Sequence, residues 1–138
     1  MKEIEIRLEG IIIKDYQILL GKHIKNTNKY WVLPGGHLEF GENLSDALLR
    51  EMNEELNINL VEEIKHSYLN EYVDKEKNRH VINIGYKLSI PPEEFKNIKL
   101  NTNEEALSDI RFFSKRDILS SEDTFYPSKN FLTKLFDY

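Results

Sequence analysis

At 138 residues, 40% of them hydrophobic, the chain has the length and apolar content of one domain with a single core, and a two-domain arrangement is not expected. Its 24 Asp and Glu against 19 Lys and Arg give a formal charge of -5, which argues against a broad basic surface for a nucleic-acid polymer, although a small anion can still be held by a bound cation and a few local donors. Cysteine is absent, which removes disulfides, thiolate metal sites and cysteine nucleophiles, and no run approaches the roughly 20 apolar residues of a membrane span, so a soluble, cytoplasmic protein is the expectation.

The first residues, Met1-Lys2-Glu3-Ile4-Glu5-Ile6-Arg7, alternate charge and apolarity where a signal peptide would be continuously apolar. Residues 4–13 are rich in β-branched side chains, and residues 14–16 offer a turn before a second strand over 17–24. Polar residues 25–29 interrupt, Tyr30-Trp31-Val32-Leu33 resumes the strand pattern, and Pro34-Gly35-Gly36 reads as a sharp turn. Over 43–56 the period becomes helical: Leu44, Leu48, Met52 and Leu56 recur every four residues and Leu49 widens the stripe. Asn43 is the N-cap, with Asp46 at the spacing from which an acid reaches the exposed amides of a first turn. Strand-like runs at 64–73 and 80–90, separated by the polar turn 74–78, predict a hairpin. Pro91-Pro92 ends its second strand and a polar loop runs over 93–105. A short strand at 110–113, a helical turn capped by Ser114 and a second helical pattern over 128–136 complete the chain. Helices interspersed among strands predict a mixed sheet with helices packed on its faces.

The chemistry concentrates in Gly36-His37-Leu38-Glu39-Phe40-Gly41-Glu42, followed by seven residues and then Arg50-Glu51-Met52-Asn53-Glu54-Glu55-Leu56-Asn57-Ile58. At about 100 degrees per residue, Glu51, Glu54 and Glu55 share one face at the rim of the apolar stripe, so these carboxylates are expected to converge. Like charges so placed repel, and hard divalent cations would neutralise them. Arg50 lies four residues before Glu54, where a guanidinium can fix a carboxylate's orientation. Glycines just upstream let backbone groups approach a metal or a phosphate.

This segment resembles the Nudix box, G-x5-E-x7-R-E-U-x-E-E-x-G-U with U apolar. Gly36, Glu42, Arg50, Glu51, Met52, Glu54, Glu55 and Ile58 match at the required spacing, and Asn57 stands where the pattern has its last glycine. That position calls for a left-handed backbone, which Asn adopts at the least cost among non-glycine residues. The resemblance implies a Nudix-type α/β/α sandwich in the α+β class, with a mixed β-sheet. It implies that the Gly36 carbonyl, Glu51, Glu54 and Glu55 hold Mg2+, or Mn2+, and that a further acid comes from the loop Asn103-Glu104-Glu105, with Glu105 preferred. It points to Lys22 or His23 as the phosphate contact and to Glu42 as a support behind the metal ligands. Glu54 and Glu105 compete as the catalytic base, with Glu51 and Arg50 beside them. The implied reaction is hydrolysis of a phosphoanhydride bond in a nucleoside diphosphate derivative, first a nucleoside triphosphate. The metal would draw charge from phosphorus and acidify water while a carboxylate takes its proton.

Without that spacing, Glu51, Glu54 and Glu55 would read as the solvated face of an amphipathic helix, and Pro34-Gly35-Gly36 as an ordinary turn. His23, His37, His66 and His80 lack paired metal-ligand spacing, and only His37 lies inside the box loop. Tyr30, Trp31, Phe40, Tyr72 and Tyr86 are core or surface aromatics before they are base-stacking platforms. The alternative substrates are ADP-ribose or another sugar nucleotide, although Val73-Asp74 stands where the ADP-ribose branch carries a proline. A non-catalytic nucleotide-binding regulator is the competing class, disfavoured because every acidic box position is kept. The expected partner is a small nucleotide, with no nucleic-acid polymer and no membrane, and a homodimer is left open.

Overall fold

The charged and apolar alternation at the start of the chain forms strand β1 (Ile4–Ile11), the centre of the molecule's organisation. A computed structural model describes residues 2–101 and 107–137. β1 runs antiparallel to β5 (Gly35–His37) and parallel to β7 (Arg79–Ser89), which in turn pairs antiparallel with β6 (Glu63–Asp74). The sheet order is β5-β1-β7-β6, and the parallel pair within it makes the sheet mixed, as expected. β6 and β7 are the predicted hairpin, with a register shift between His66 and Tyr68.

The expected single strand over 4–13 is divided. Ile13–Lys14 forms β2 in a second sheet, with β3 (Gln17–Lys25), β4 (Asn28–Val32) and β9 (Thr124–Phe125) in the order β2-β3-β4-β9, and β8 (Asp109–Ser114) on the other side of β3. Ile11 and Ile12 explain the transfer between sheets. Both are fully buried, Ile11 among Ile18, Leu20, Trp31, Phe113 and Leu132, and Ile12 among Leu8, Leu19, Leu48 and Met52. Consecutive residues of a strand point to opposite faces, so this step anchors the chain in two cores at once.

Of the expected sharp turn Pro34-Gly35-Gly36 only Pro34 is a bend; Gly35 and Gly36 lie in β5. A Cβ on Gly35 would stand 2.0 Å from the Leu8 carbonyl oxygen, so glycine serves a close strand approach there. The box helix α1 (Leu44–Leu56) forms as predicted, with Asn43 Oδ1 accepting from the Asp46 N–H at 2.9 Å. It ends at Asn57 with φ 59° and ψ 31°, the left-handed conformation expected of that position. Ala47, Leu48, Met52 and Leu56 are its buried apolar face, whereas Leu44 and Leu49 stay 37% exposed, so the stripe is narrower than the sequence suggested.

Helix α2 (Lys115–Ser120) carries a full capping box between Ser114 and Asp117, and α3 (Lys129–Lys134) is capped by Ser128. A 3-10 helix (Pro92–Asn97) occupies the first part of the expected polar loop. Among the described residues no helix is long and apolar enough to cross a membrane.

Candidate active site

Arg50, on the second turn of α1, is the hub of the box. Its Nε donates to Glu42 Oε2 at 2.7 Å and its Nη2 to Glu42 Oε1 at 2.9 Å, a two-pronged carboxylate pair. Nη1 donates to Glu51 Oε1 at 2.9 Å and to Glu54 Oε2 at 3.2 Å, and Nη2 also reaches the His37 carbonyl at 3.0 Å. One planar guanidinium thereby ties the loop before the helix to two carboxylates on the helix. The hydrogen bonding of Arg50 to Glu42 comes first in raising the Arg50 pKa, and it likewise holds the Glu42 carboxyl below its ordinary value.

The β5 backbone is the other wall. Glu51 presses against Gly36, where a Cβ would stand 2.2 Å from its carboxyl carbon. Glycine there keeps an acidic group against the main chain. Burial raises the Glu51 pKa, against the opposing hydrogen bond from Arg50. Glu55 is 5% exposed and accepts from the Gly35 N–H at 3.1 Å.

The expected convergence of Glu51, Glu54 and Glu55 needs correction. Among the described residues no group of at least three His, Asp or Glu side chains is gathered closely enough to hold a metal ion. Arg50 lies between Glu51 and Glu54 and offsets their repulsion, while Glu55 turns inward to satisfy a backbone amide. The donor chemistry nevertheless fits a hard divalent cation: carboxylate oxygens and a glycine carbonyl, without sulfur or imidazole. The partly desolvated Glu51, held where a Cβ would otherwise sit, is an acid that such a charge would stabilise.

Among the remaining candidates, the Lys22 ammonium lies 5.6 Å from the Trp31 ring centre and His23 stacks on Tyr30 at 5.5 Å. As neighbours on β3 they point to opposite faces, so only one of them can meet a given phosphate. Asn103, Glu104 and Glu105 lie outside the described residues. His66 packs edge-on against Tyr86, and His80 pairs with Glu71 at 2.7 Å.

Sequence reasoning did not foresee three features. His37 Nε2 meets Glu5 Oε1 at 2.7 Å, which ties the box loop to β1. Tyr68 donates to Glu9 Oε1 at 2.6 Å. Arg7 contributes positive charge at Glu51. The available signal was the spacing of Glu5, Arg7 and Glu9, every second residue of a strand and therefore one face.

Comparison with known proteins gives the family. The NUDIX domain model matches residues 10–135. An ADP-ribose pyrophosphatase from Methanocaldococcus jannaschii is 38% identical over 94 residues, covering 66% of this chain and 54% of that protein. An RNA pyrophosphohydrolase from Ruthia magnifica is 45% identical over 51 residues, 36% of this chain and 27% of its own length. The chain thus spans about half the length of the first curated relative and less of the second. The crystal structure of a MutT NUDIX hydrolase from Burkholderia pseudomallei superposes with a TM-score of 0.78 at 20% identity, covering 96% of this chain and 97% of that one, a likeness of fold. With the NUDIX domain model matched over most of its length, the chain belongs to the Nudix hydrolase family.

Proposed function

We propose that this is a single-domain, Mg2+-dependent hydrolase that cleaves a phosphoanhydride bond in a nucleoside diphosphate derivative, with a nucleoside triphosphate as the leading substrate. The observation that carries the reading is the Arg50 hub, which holds Glu42, Glu51 and Glu54 around the glycine strand.

In this reading the Gly36 carbonyl, Glu51, Glu54 and Glu55 hold the ion, Mn2+ can replace Mg2+, and Glu105 is a further ligand. When bound, the ion supplies positive charge against the diphosphate oxygens and acidifies the attacking water. Arg50 orients the acids, and Glu42 fixes Arg50. Glu54, at 46% side-chain exposure the more exposed of the two helix acids on Arg50, can leave the guanidinium at little cost and accept a proton from water, with Glu105 as the competing base. Lys22 or His23 pairs with a phosphate oxygen. A cytoplasmic enzyme acting on small nucleotides, without a nucleic-acid polymer or a membrane as partner, completes the reading, and a homodimer is compatible with it.

ADP-ribose is the second substrate reading, favoured by the name of the archaeal relative. The test is chromatographic separation of the products formed from a panel of nucleoside triphosphates, ADP-ribose and 5′-triphosphorylated RNA with Mg2+, by the unaltered protein and Glu54→Gln. Loss of a positioned proton acceptor lowers kcat by about 10²- to 10⁴-fold, and chelator abolishes turnover. Turnover indifferent to both would remove the assignment. Reaction in 18O-water identifies the phosphorus attacked.

A further inference from the structure

The Glu51 carboxyl against Gly36 leaves no room for a side chain there, and that absence creates a mechanical difficulty. Backbone without a Cβ is the most permissive kind, yet the Gly36 carbonyl is one of the groups proposed to hold the ion. The strand itself gives little help. β5 has three residues, stands at the end of the sheet order β5-β1-β7-β6 and, among the described residues, pairs with β1 alone. Beyond it the box loop stands out from the molecule: Phe40 is fully exposed, and Gly41, at φ 91°, has open space where a Cβ would be. The direction of the Gly36 carbonyl has to be imposed by a neighbour.

His37 is the residue that can impose it. The planar peptide that carries the Gly36 carbonyl also carries the His37 nitrogen, so fixing His37 fixes one of the two soft torsions beside that plane. His37 is held from two directions: its carbonyl accepts from Arg50 Nη2 at 3.0 Å, and its Nε2 meets Glu5 Oε1 at 2.7 Å. An ionised carboxylate only accepts, so Nε2 carries the proton in this pair. The next residue continues the seam, with the Leu38 N–H donating to the Ile6 carbonyl at 2.8 Å.

Glu5 is in turn held by Arg79, whose Nε donates to the other carboxylate oxygen at 3.0 Å. The two bonds, that of Arg79 foremost, keep the Glu5 carboxyl below its ordinary value, so it stays ionised and goes on accepting. Arg79 opens β7, Glu5 lies in β1 and His37 closes β5, so the relay crosses three strands and ends on the loop. The side chains of Arg79, Glu5 and His37 are 45%, 30% and 51% exposed, and none belongs to either core cluster. Ion pairs so open to water add little to stability. Their common effect is the placement of His37, which continues through its carbonyl into Arg50 and from there to Glu42, Glu51 and Glu54.

We propose, resting on the hydrolase reading for the role of the ion, that Arg79 and Glu5 are positioning residues which act through His37 to preset the Gly36 carbonyl and the Arg50 hub for a divalent cation. The test reads the protein without turnover. Mn2+ affinity is measured by calorimetry, and exchange of the Leu38 amide by NMR in the metal-free protein, for the unaltered chain, Glu5→Ala, Arg79→Ala, the two combined, His37→Ala and His37→Gln, each shown to be folded by its thermal melt. Glu5→Ala and His37→Ala weaken Mn2+ binding by about tenfold, and Arg79→Ala by a smaller factor. Arg79→Ala adds nothing in the Glu5→Ala background, because its effect passes through that carboxylate. His37→Gln keeps an N–H donor near the place of Nε2 and returns the affinity to within about twofold of the unaltered protein. The Leu38 amide exchanges faster in the weakened variants, whereas the amides of the β6 and β7 hairpin do not. Should Glu5→Ala fail to fold, Arg79→Ala and the contrast between His37→Ala and His37→Gln decide. A lowered melting temperature with unchanged Mn2+ affinity, or independent and additive effects of Glu5→Ala and Arg79→Ala, would overturn the relay and leave the hydrolase reading intact. No uptake by the unaltered protein would remove both. Uptake sensitive to Glu5 and His37, in a protein that hydrolyses nothing, would uphold the relay and remove only the enzymatic reading.

Discussion

Glu51 shows how a single residue can oppose folding while serving a site. Its carboxyl leans on Gly36, partly out of water, and Arg50 returns less than burial takes away, so its pKa is raised. A raised carboxyl pKa means that the folded state binds the proton more tightly than the unfolded chain. The contribution of Glu51 to stability is therefore most favourable below the ordinary glutamate value of 4.5 and is lost as pH rises through the higher folded value. At neutral pH the metal-free protein carries the full penalty. Glu51→Gln should raise the Tm of that protein at pH 7, and the difference should vanish in acid, where Glu51 is as neutral as Gln. A series of melts from pH 3.5 to 7.5 checks this, and a variant less stable at neutral pH would show that Arg50 outweighs burial. Arg50 itself keeps both bonds to Glu42 in the variant, so the loop stays tied to the helix.

At the scale of the element, α1 was legible because its period, its N-cap and its C-terminal Asn are all local. Asn57 accepts the left-handed backbone and also donates to the Asn97 carbonyl at 3.0 Å, a bond that glycine could not make. Asn57→Gly should thus gain backbone ease and lose a hydrogen bond, for a net change within about 1 kcal/mol. Asn57→Ala loses on both counts, by roughly 1 to 2 kcal/mol, with hydrolysis unchanged because the side chain points away from Arg50 to the 3-10 helix side. Urea unfolding measures both. The cap at Ser114 was equally readable, and Ser114→Ala should cost about 1 kcal/mol through loss of the capping box. β5 was misread as a turn because the same Pro-Gly-Gly residues suit a bend and a close strand crossing, and only the position of Leu8 decides between them.

Across the whole molecule, what escaped the sequence is what depends on distant partners. The parallel pairing of β1 with β7, the transfer between sheets at Ile11 and Ile12, and the edge strand β9 join residues far apart in the chain. The box residues were identified by spacing, yet their arrangement was not: helical angles place Glu51, Glu54 and Glu55 on one face, but not the guanidinium between two of them or the Gly35 amide that claims the third. The link between Glu42 and Arg50 crosses from loop to helix and has no local period to announce it. The proposed activity therefore requires this turn of α1 to exchange an internal cation for an external one. Mn2+ titration followed by electron paramagnetic resonance tests that directly, on the unaltered protein and on Glu51→Gln and Glu54→Gln. Uptake by the unaltered protein, weakened at least about tenfold in either variant, is the predicted result; no uptake, or equal uptake by all three proteins, would contradict it.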